Sequence, residues 1–67
     1  MKTSYSLDEE AVPRTGPLAG LVGIVDEILF ETPDDPKPFR LRFEHVDGEP
    51  IAWFGAADLD PALAVAR

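Results

Sequence analysis

The chain has 67 residues, enough for one small domain that buries only about 60% of the surface its unfolded form exposes. This length argues against a deep, enclosed active site. The absence of cysteine excludes disulfide bonds and thiolate metal sites as sources of stability. Thirteen acidic and six basic residues give a formal net charge of -7, which repels phosphate backbones and favours a basic partner.

The first 17 residues are predicted to form an irregular N-terminal arm. Acidic residues, two prolines and a glycine interrupt its few apolar side chains, so we expect a flexible arm or a poorly regular first strand. Its possible anchors are Tyr5, Leu7 and Val12. The segment lacks the apolar stretch of a secretory signal, and no run of ~20 apolar residues follows it. We therefore expect a soluble, cytoplasmic protein.

Residues 21–31, LVGIVDEILFE, predict the first long strand because they are rich in Val and Ile and are bounded by Gly20 and Pro33. Apolar residues fall on both faces of this strand, which is typical of a strongly bent strand in a small barrel. Gly20 and Gly23 would ease the bend or host a β-bulge.

The next run, FRLRFEHV, alternates clearly and predicts a strand over residues 39–46. Its inner face would carry Phe39, Leu41, Phe43 and His45. Asp47-Gly48 favours a type I′ turn, in which both residues have positive φ. We therefore expect residues 39–46 to fold back on residues 49–54 as a hairpin.

Beyond Phe54, residues 56–59 predict a 3₁₀ turn before Pro61, and residues 63–65 a closing strand or a frayed helical turn. Together these elements predict an all-β domain over residues 18–67. The expected fold is a small, SH3-like, partly open five-stranded barrel with a 3₁₀ turn before its last strand.

Residues 18–62 resemble a known family. GLVGIVDEI, followed by FRLRF and then WFGAADLDP, is similar to the SH3-like barrel domains of the nitrile hydratase β subunit and of related bacterial proteins. Gly20, Gly23, Val25 and the segments LFETPDDP, FRLRFEHVDG and FGAADLDP resemble the small acidic antirepressors that control carotenoid synthesis in myxobacteria. This likeness implies a barrel whose acidic surface imitates DNA and occupies the DNA-binding domain of a MerR-type repressor.

Acidic residues on or beside the loop and the hairpin are the candidate partner-binding site. They are Glu31, Asp34, Asp35, Glu44, Asp47 and Glu49. Such a patch can receive arginines and lysines through charge-assisted hydrogen bonds, or it is simply the solvated surface of an acidic protein. Asp34-Asp35 lacks the spacing of a calcium loop, so we expect no metal and no cofactor.

The aromatic pair of the hairpin adds an apolar candidate to this site. Trp53 and Phe54 point to opposite faces of their strand. By parity with Ile51, Trp53 is the core residue and Phe54 the exposed interface anchor, and a bulge would reverse the two.

The charged and titratable residues of the hairpin have modest roles in this interpretation. Arg40 and Arg42 either form cross-strand pairs with acidic neighbours or join the aromatics in a nucleic-acid platform. His45 is the only histidine, and no nucleophile or second ligand accompanies it, so we expect a strand-end role rather than catalysis.

The predicted function is therefore a non-enzymatic regulatory module that sequesters a basic DNA-binding transcription regulator by imitating nucleic acid. The alternative is an accessory or structural subunit of an enzyme complex, which binds through apolar barrel surface. Direct binding of RNA or DNA is a third possibility, which the net charge disfavours.

Overall fold

The structure, a computed structural model, describes residues 4–30 and 36–62. Its elements are β1 (Glu10–Pro13), β2 (Gly23–Ile28), β3 (Phe39–Arg42), β4 (Ile51–Phe54), a 3₁₀ turn (Ala56–Asp58) and β5 (Leu59–Pro61). These five strands form one antiparallel sheet in the order β4-β3-β2-β1-β5, which is not closed. The predicted fold class is confirmed: an all-β, partly open arrangement with a 3₁₀ turn before its last strand.

The core lies on one face of the sheet. It consists of Tyr5, Ala11, Val25, Phe39, Leu41, Phe43 and Leu59. The predicted inner face of β3 is confirmed for Phe39, Leu41 and Phe43, which are at most 3% exposed. His45 is exposed instead, because β3 ends at Arg42 and the chain turns before it.

The first strand of the sheet lies within the segment predicted as an arm. β1 pairs with β2 on one side and with β5 on the other. The expected anchors Tyr5 and Val12 are both 2% exposed, whereas Leu7 is 57% exposed. The sheet therefore begins before residue 18. The sequence does not mark this boundary because a four-residue strand among acids and prolines gives too short a pattern.

β2 bends at a bulge, although not at a glycine. Val25 pairs with Leu41 whereas Glu27 pairs with Arg40, so Asp26 is the extra residue. The glycine that matters for packing is Gly23, where an added Cβ would lie 2.7 Å from Cε2 of Phe43. The prediction of a glycine bulge is wrong at this point, since Gly23 makes room for an aromatic ring.

The hairpin is confirmed, but its turn differs from the predicted type. β3 and β4 pair without interruption, and residues 43–50 connect them. The Glu49 N–H donates to the Val46 carbonyl at 2.9 Å. Positive φ falls on Gly48 (85°) and Glu49 (43°) and not on Asp47. The turn therefore follows the type II pattern, in which only the second central residue requires positive φ.

The end of the described chain is held by a capped turn. Asp58 accepts a hydrogen bond from the Gly55 N–H at 3.0 Å, which closes the 3₁₀ turn before β5. The predicted closing segment, residues 63–65, lies outside the described residues.

Candidate functional site: the outer face and edge of the hairpin

The hairpin exposes two large apolar side chains on its outer face. The register places Trp53 opposite Arg40 and Ile51 opposite Arg42, whereas Leu41 points into the core. Ile51 is 54% and Trp53 37% exposed. The parity with Ile51 used in the prediction is right, but both residues face outward, and no bulge interrupts this pairing.

Phe54 is therefore not the exposed aromatic anchor. Its side chain is half-buried and packs against the core, edge-to-face with Phe43 at a centroid distance of 6.3 Å. The predicted roles are therefore reversed: Trp53 has the exposed ring, and Phe54 packs against the core. The sequence could not decide between them because Ile51 and Phe54 are equally plausible core residues by hydrophobicity alone.

Arg40 is held by a network of carboxylates next to Trp53. Its Nε donates to Asp26 Oδ1 at 2.8 Å and its Nη2 to Asp26 Oδ2 at 3.1 Å. Its Nη1 lies 3.2 Å from Glu27 Oε1, and the guanidinium carbon lies 6.0 Å from the Trp53 ring centroid. Bidentate pairing fixes the plane of the guanidinium group, so this part of the outer face is preorganised.

This network also shifts the titration of its members. The hydrogen bond from Arg40 is the main cause that lowers the pKa of Asp26, and it outweighs the opposing effect of burial. The same hydrogen bond raises the pKa of Arg40. Asp26 therefore stays ionised to a lower pH than an isolated aspartate.

Arg42 completes the pairing of the two arginines of β3. Its Nη2 donates to Glu44 Oε2 at 2.8 Å. The predicted cross-strand pairing is confirmed for Arg40 and wrong for Arg42, whose acidic partner follows it two residues later in the same run. Carboxylates thus contact both guanidinium groups, whereas Arg42 Nε is buried without a hydrogen-bond partner among the described residues.

The six predicted acids divide into three groups. Asp47 and Glu49 are exposed in the loop of residues 43–50, and neither forms an ion pair within residues 4–30 and 36–62. Glu44 is exposed but engaged with Arg42. The other three, Glu31, Asp34 and Asp35, lie outside the described residues. The structure thus brings Glu44, Asp47 and Glu49 together on the loop that leads into β4.

The free edge of β4 presents backbone groups as well as side chains. The Phe43 N–H donates to the Pro50 carbonyl at 3.0 Å, which fixes the phase of the antiparallel ladder. Counting along the register, residue 52 exchanges bonds with residue 41 and residue 54 with residue 39. The N–H and C=O groups of Ile51 and Trp53 consequently point away from β3, toward the open side of the sheet.

Sequence reasoning missed a second acidic surface near the start of β1. Asp8, Glu9, Glu10, Ile24, Pro61 and Ala62 line a cleft of about 380 Å³. Asp8 has a φ of 69°, and its N–H donates to the Val25 carbonyl at 2.8 Å. The run of three acids is the signal for this surface in the sequence, but it falls in the segment predicted as a flexible arm or a poorly regular first strand. Across the described ranges, no three potential ligand residues approach one another as a metal site would require.

His45 contacts the backbone of the segment that precedes β2. Its Nε2 lies 2.9 Å from the Val22 carbonyl, so this ring nitrogen donates a hydrogen bond to the backbone before β2. The predicted position at the end of the strand is wrong, because β3 ends at Arg42 and His45 lies in the loop of residues 43–50.

Within the part of the chain that the structure describes, no helix is both long and apolar enough to cross a membrane. Comparisons of the chain with models of protein families, with curated proteins and with solved structures give no match. The likeness to the antirepressor family accordingly stays a prediction, and the function is argued from the site itself.

Proposed function

We propose that the chain is a non-enzymatic regulatory module that sequesters a basic DNA-binding transcription regulator by imitating nucleic acid. One observation carries the proposal: Asp47 and Glu49 are exposed carboxylates with no cationic partner in the described part of the chain. The net charge of -7 adds a negative field that attracts arginines and lysines otherwise used to hold phosphates.

The neighbouring ion pairs support this proposal because they engage both arginines of β3 and leave Asp47 and Glu49 unpaired among the described residues. Arg40 is engaged by Asp26 and Glu27. Arg42 is engaged by Glu44. The acids that remain are therefore open to a partner, and the exposed indole of Trp53 supplies an aromatic contact of the kind that dominates interface energetics.

The test uses the MerR-type DNA-binding domains encoded in the same genome, each bound to its labelled operator DNA. Adding the protein should release the DNA, which lowers the fluorescence anisotropy of the label. The double variant D47N/E49Q should lose most of this effect. D8N/E10Q is the matched control, since it removes the same charge from exposed acids that also lack an ion pair in the described residues.

Two results would contradict the proposal. One is that no basic DNA-binding domain is released from its DNA even at low ionic strength. The other is that both double variants lose activity equally, since net charge rather than this loop would then be responsible. Complex formation should also weaken steeply as salt is raised, because the contact is electrostatic.

The exposed apolar side chains favour the second candidate, an accessory subunit of an enzyme complex. Ile51 and Trp53 would then provide the contact without help from the loop acids. A complex of that kind would tolerate high salt and the D47N/E49Q change, and it would be lost when Ile51 is replaced by a charged residue.

A further inference from the structure

Among the described residues, no strand pairs with the outer edge of β4, and its shortness is the only usual protection of a sheet edge that it has. Its sequence, IAWF, contains no charged residue and no proline. Strands of this kind pair readily with another chain, so proteins normally blunt or cover them. Two of its residues, Ile51 and Trp53, combine outward backbone groups with exposed apolar side chains.

We infer that an extended, basic segment of a partner protein pairs with β4 as an added strand of the sheet. The inference rests on the proposed function for the charge of the partner. The backbone groups of Ile51 and Trp53 would supply the main-chain hydrogen bonds, and their side chains would contact alternate residues of the added strand.

Charge selects a basic segment over a second copy of this chain. A second copy would bring the same net charge of -7 and the same loop acids to the contact. A basic segment instead meets Asp47 and Glu49 at the end of the loop that leads into β4, where opposite charge lowers the cost of approach. The Trp53 ring lies near the guanidinium group of Arg40. An arginine of the partner could make a similar cation–π contact with this ring.

The opposite edge of the described sheet is a poorer template for an added strand because it offers acceptors but no free donors. Pro61 has no N–H, and the Leu59 N–H donates to the Ala56 carbonyl. The N–H of Asp60 points inward to Val12, because the Arg14 N–H to Asp58 bond at 2.9 Å sets the phase of that ladder. β5 therefore has no free outward donor, which makes β4 the better template for an added strand within the described sheet.

The experiment titrates the ¹⁵N-labelled protein with a blocked peptide of alternating arginine and valine. The comparison peptides are the same sequence methylated at every backbone nitrogen and a helix-forming alanine peptide with equal arginine content. Binding of the unmethylated peptide should slow hydrogen exchange at the Ile51 and Trp53 amides. Trp53 is the only tryptophan, so its fluorescence reports the affinity.

Two variants locate the contact. I51K should weaken binding of the alternating peptide by about tenfold, because the variant removes a central apolar contact and adds a positive charge that repels the arginines. L7K is the matched control: it makes the same chemical change at a residue 57% exposed rather than 54%, away from β4. L7K should cost only the general effect of one added positive charge.

The outcomes separate the inference from the proposed function. If none of the peptides binds and no DNA-binding domain is released from its DNA, the proposed function fails. If the methylated or the helical peptide binds as tightly as the alternating one, with no protection of the Ile51 and Trp53 amides, strand addition fails and charge recognition stands. A dimer of the protein alone that protects the same two amides would overturn the choice of a basic partner.

Discussion

The two edges of the sheet differ in how their backbone donors are used. At β5, Pro61 removes one donor and the 3₁₀ turn takes the N–H of Leu59. At β4, the donors of Ile51 and Trp53 have no backbone partner among residues 4–30 and 36–62, and they lie beside apolar side chains. The two edges of the described sheet therefore differ in the number of N–H groups that they offer to an added strand.

The largest expected effect tests whether the ladder of β4 has the phase described. A52P removes the N–H that bonds to Leu41 and leaves a carbonyl of the core strand unsatisfied, at a cost of about 1–3 kcal/mol in unfolding free energy. In a domain of this size each kcal/mol lowers Tm by about 4–8 °C. I51P removes only an outward N–H, so its loss should be much smaller.

Thermal unfolding followed by circular dichroism measures both variants. Equal losses in A52P and I51P would show that the outward direction of the Ile51 donor is wrong, and with it the difference between the two edges.

The next effect concerns Gly23, which leaves room for the ring of Phe43. In G23A the new Cβ would collide with the Phe43 ring, and overpacking of this kind costs about 1–3 kcal/mol. Phe43 also donates its N–H to Pro50, so its displacement should loosen β4 before it affects β5. Amide exchange should therefore accelerate more at Ala52 than at Asp60.

A second substitution makes the mechanism of that loss specific. F43L in the G23A background should recover part of the stability, because the smaller side chain leaves space for the methyl group. If the two losses simply add, the collision is not the cause.

The third effect is a pH dependence of stability that comes from Asp26 of β2, the partner of Arg40. The folded state lowers the pKa of Asp26, so the ionised carboxylate stabilises the fold. This contribution is fully present above the unfolded pKa of about 3.9 and is lost as the pH falls through the lower folded pKa. The Tm difference between the protein and D26N should therefore be constant near neutral pH and shrink below about pH 4.

The matching control is D60N at the protected edge. Asp60 lies 3.7 Å from Arg14, and both side chains are about half exposed, so solvent screens the pair. Its Tm difference should be small at every pH. A D26N difference that persists unchanged at low pH would contradict the role given to the Arg40 pair.

The sequence predicts the buried face of a strand correctly where the alternation of apolar and polar residues continues over several residues. Phe39, Leu41 and Phe43 follow a strict alternation, and all three are in the core. β1 is hard to recognise in the sequence because its last three residues are all buried, so buried and exposed side chains do not alternate. Short inner strands of this kind look like loops in a single sequence.

The candidate site was less predictable, because it depends on which face of β4 meets the core. Trp53 and Phe54 are adjacent, and hydrophobicity does not separate them. The pairing of Leu41 with Ala52 decides the question, and that is a contact between strands rather than a local property. The direction of the Ile51 and Trp53 backbone groups likewise follows from the phase of the ladder, which no residue pattern in the sequence shows.

The smallest expected effect asks what closes the β5 edge. P61T restores an outward N–H at position 61 and, at this partly exposed site, should change stability by no more than about 0.5 kcal/mol. The Leu59 donor stays bonded to Ala56, so P61T gives an added strand only one outward N–H at this edge. The alternating arginine–valine peptide should therefore continue to protect the Ile51 and Trp53 amides and leave the amide at position 61 in fast exchange. Equal protection at both edges would mean that Pro61 alone separates them, and the 3₁₀ turn would then have no part in the asymmetry.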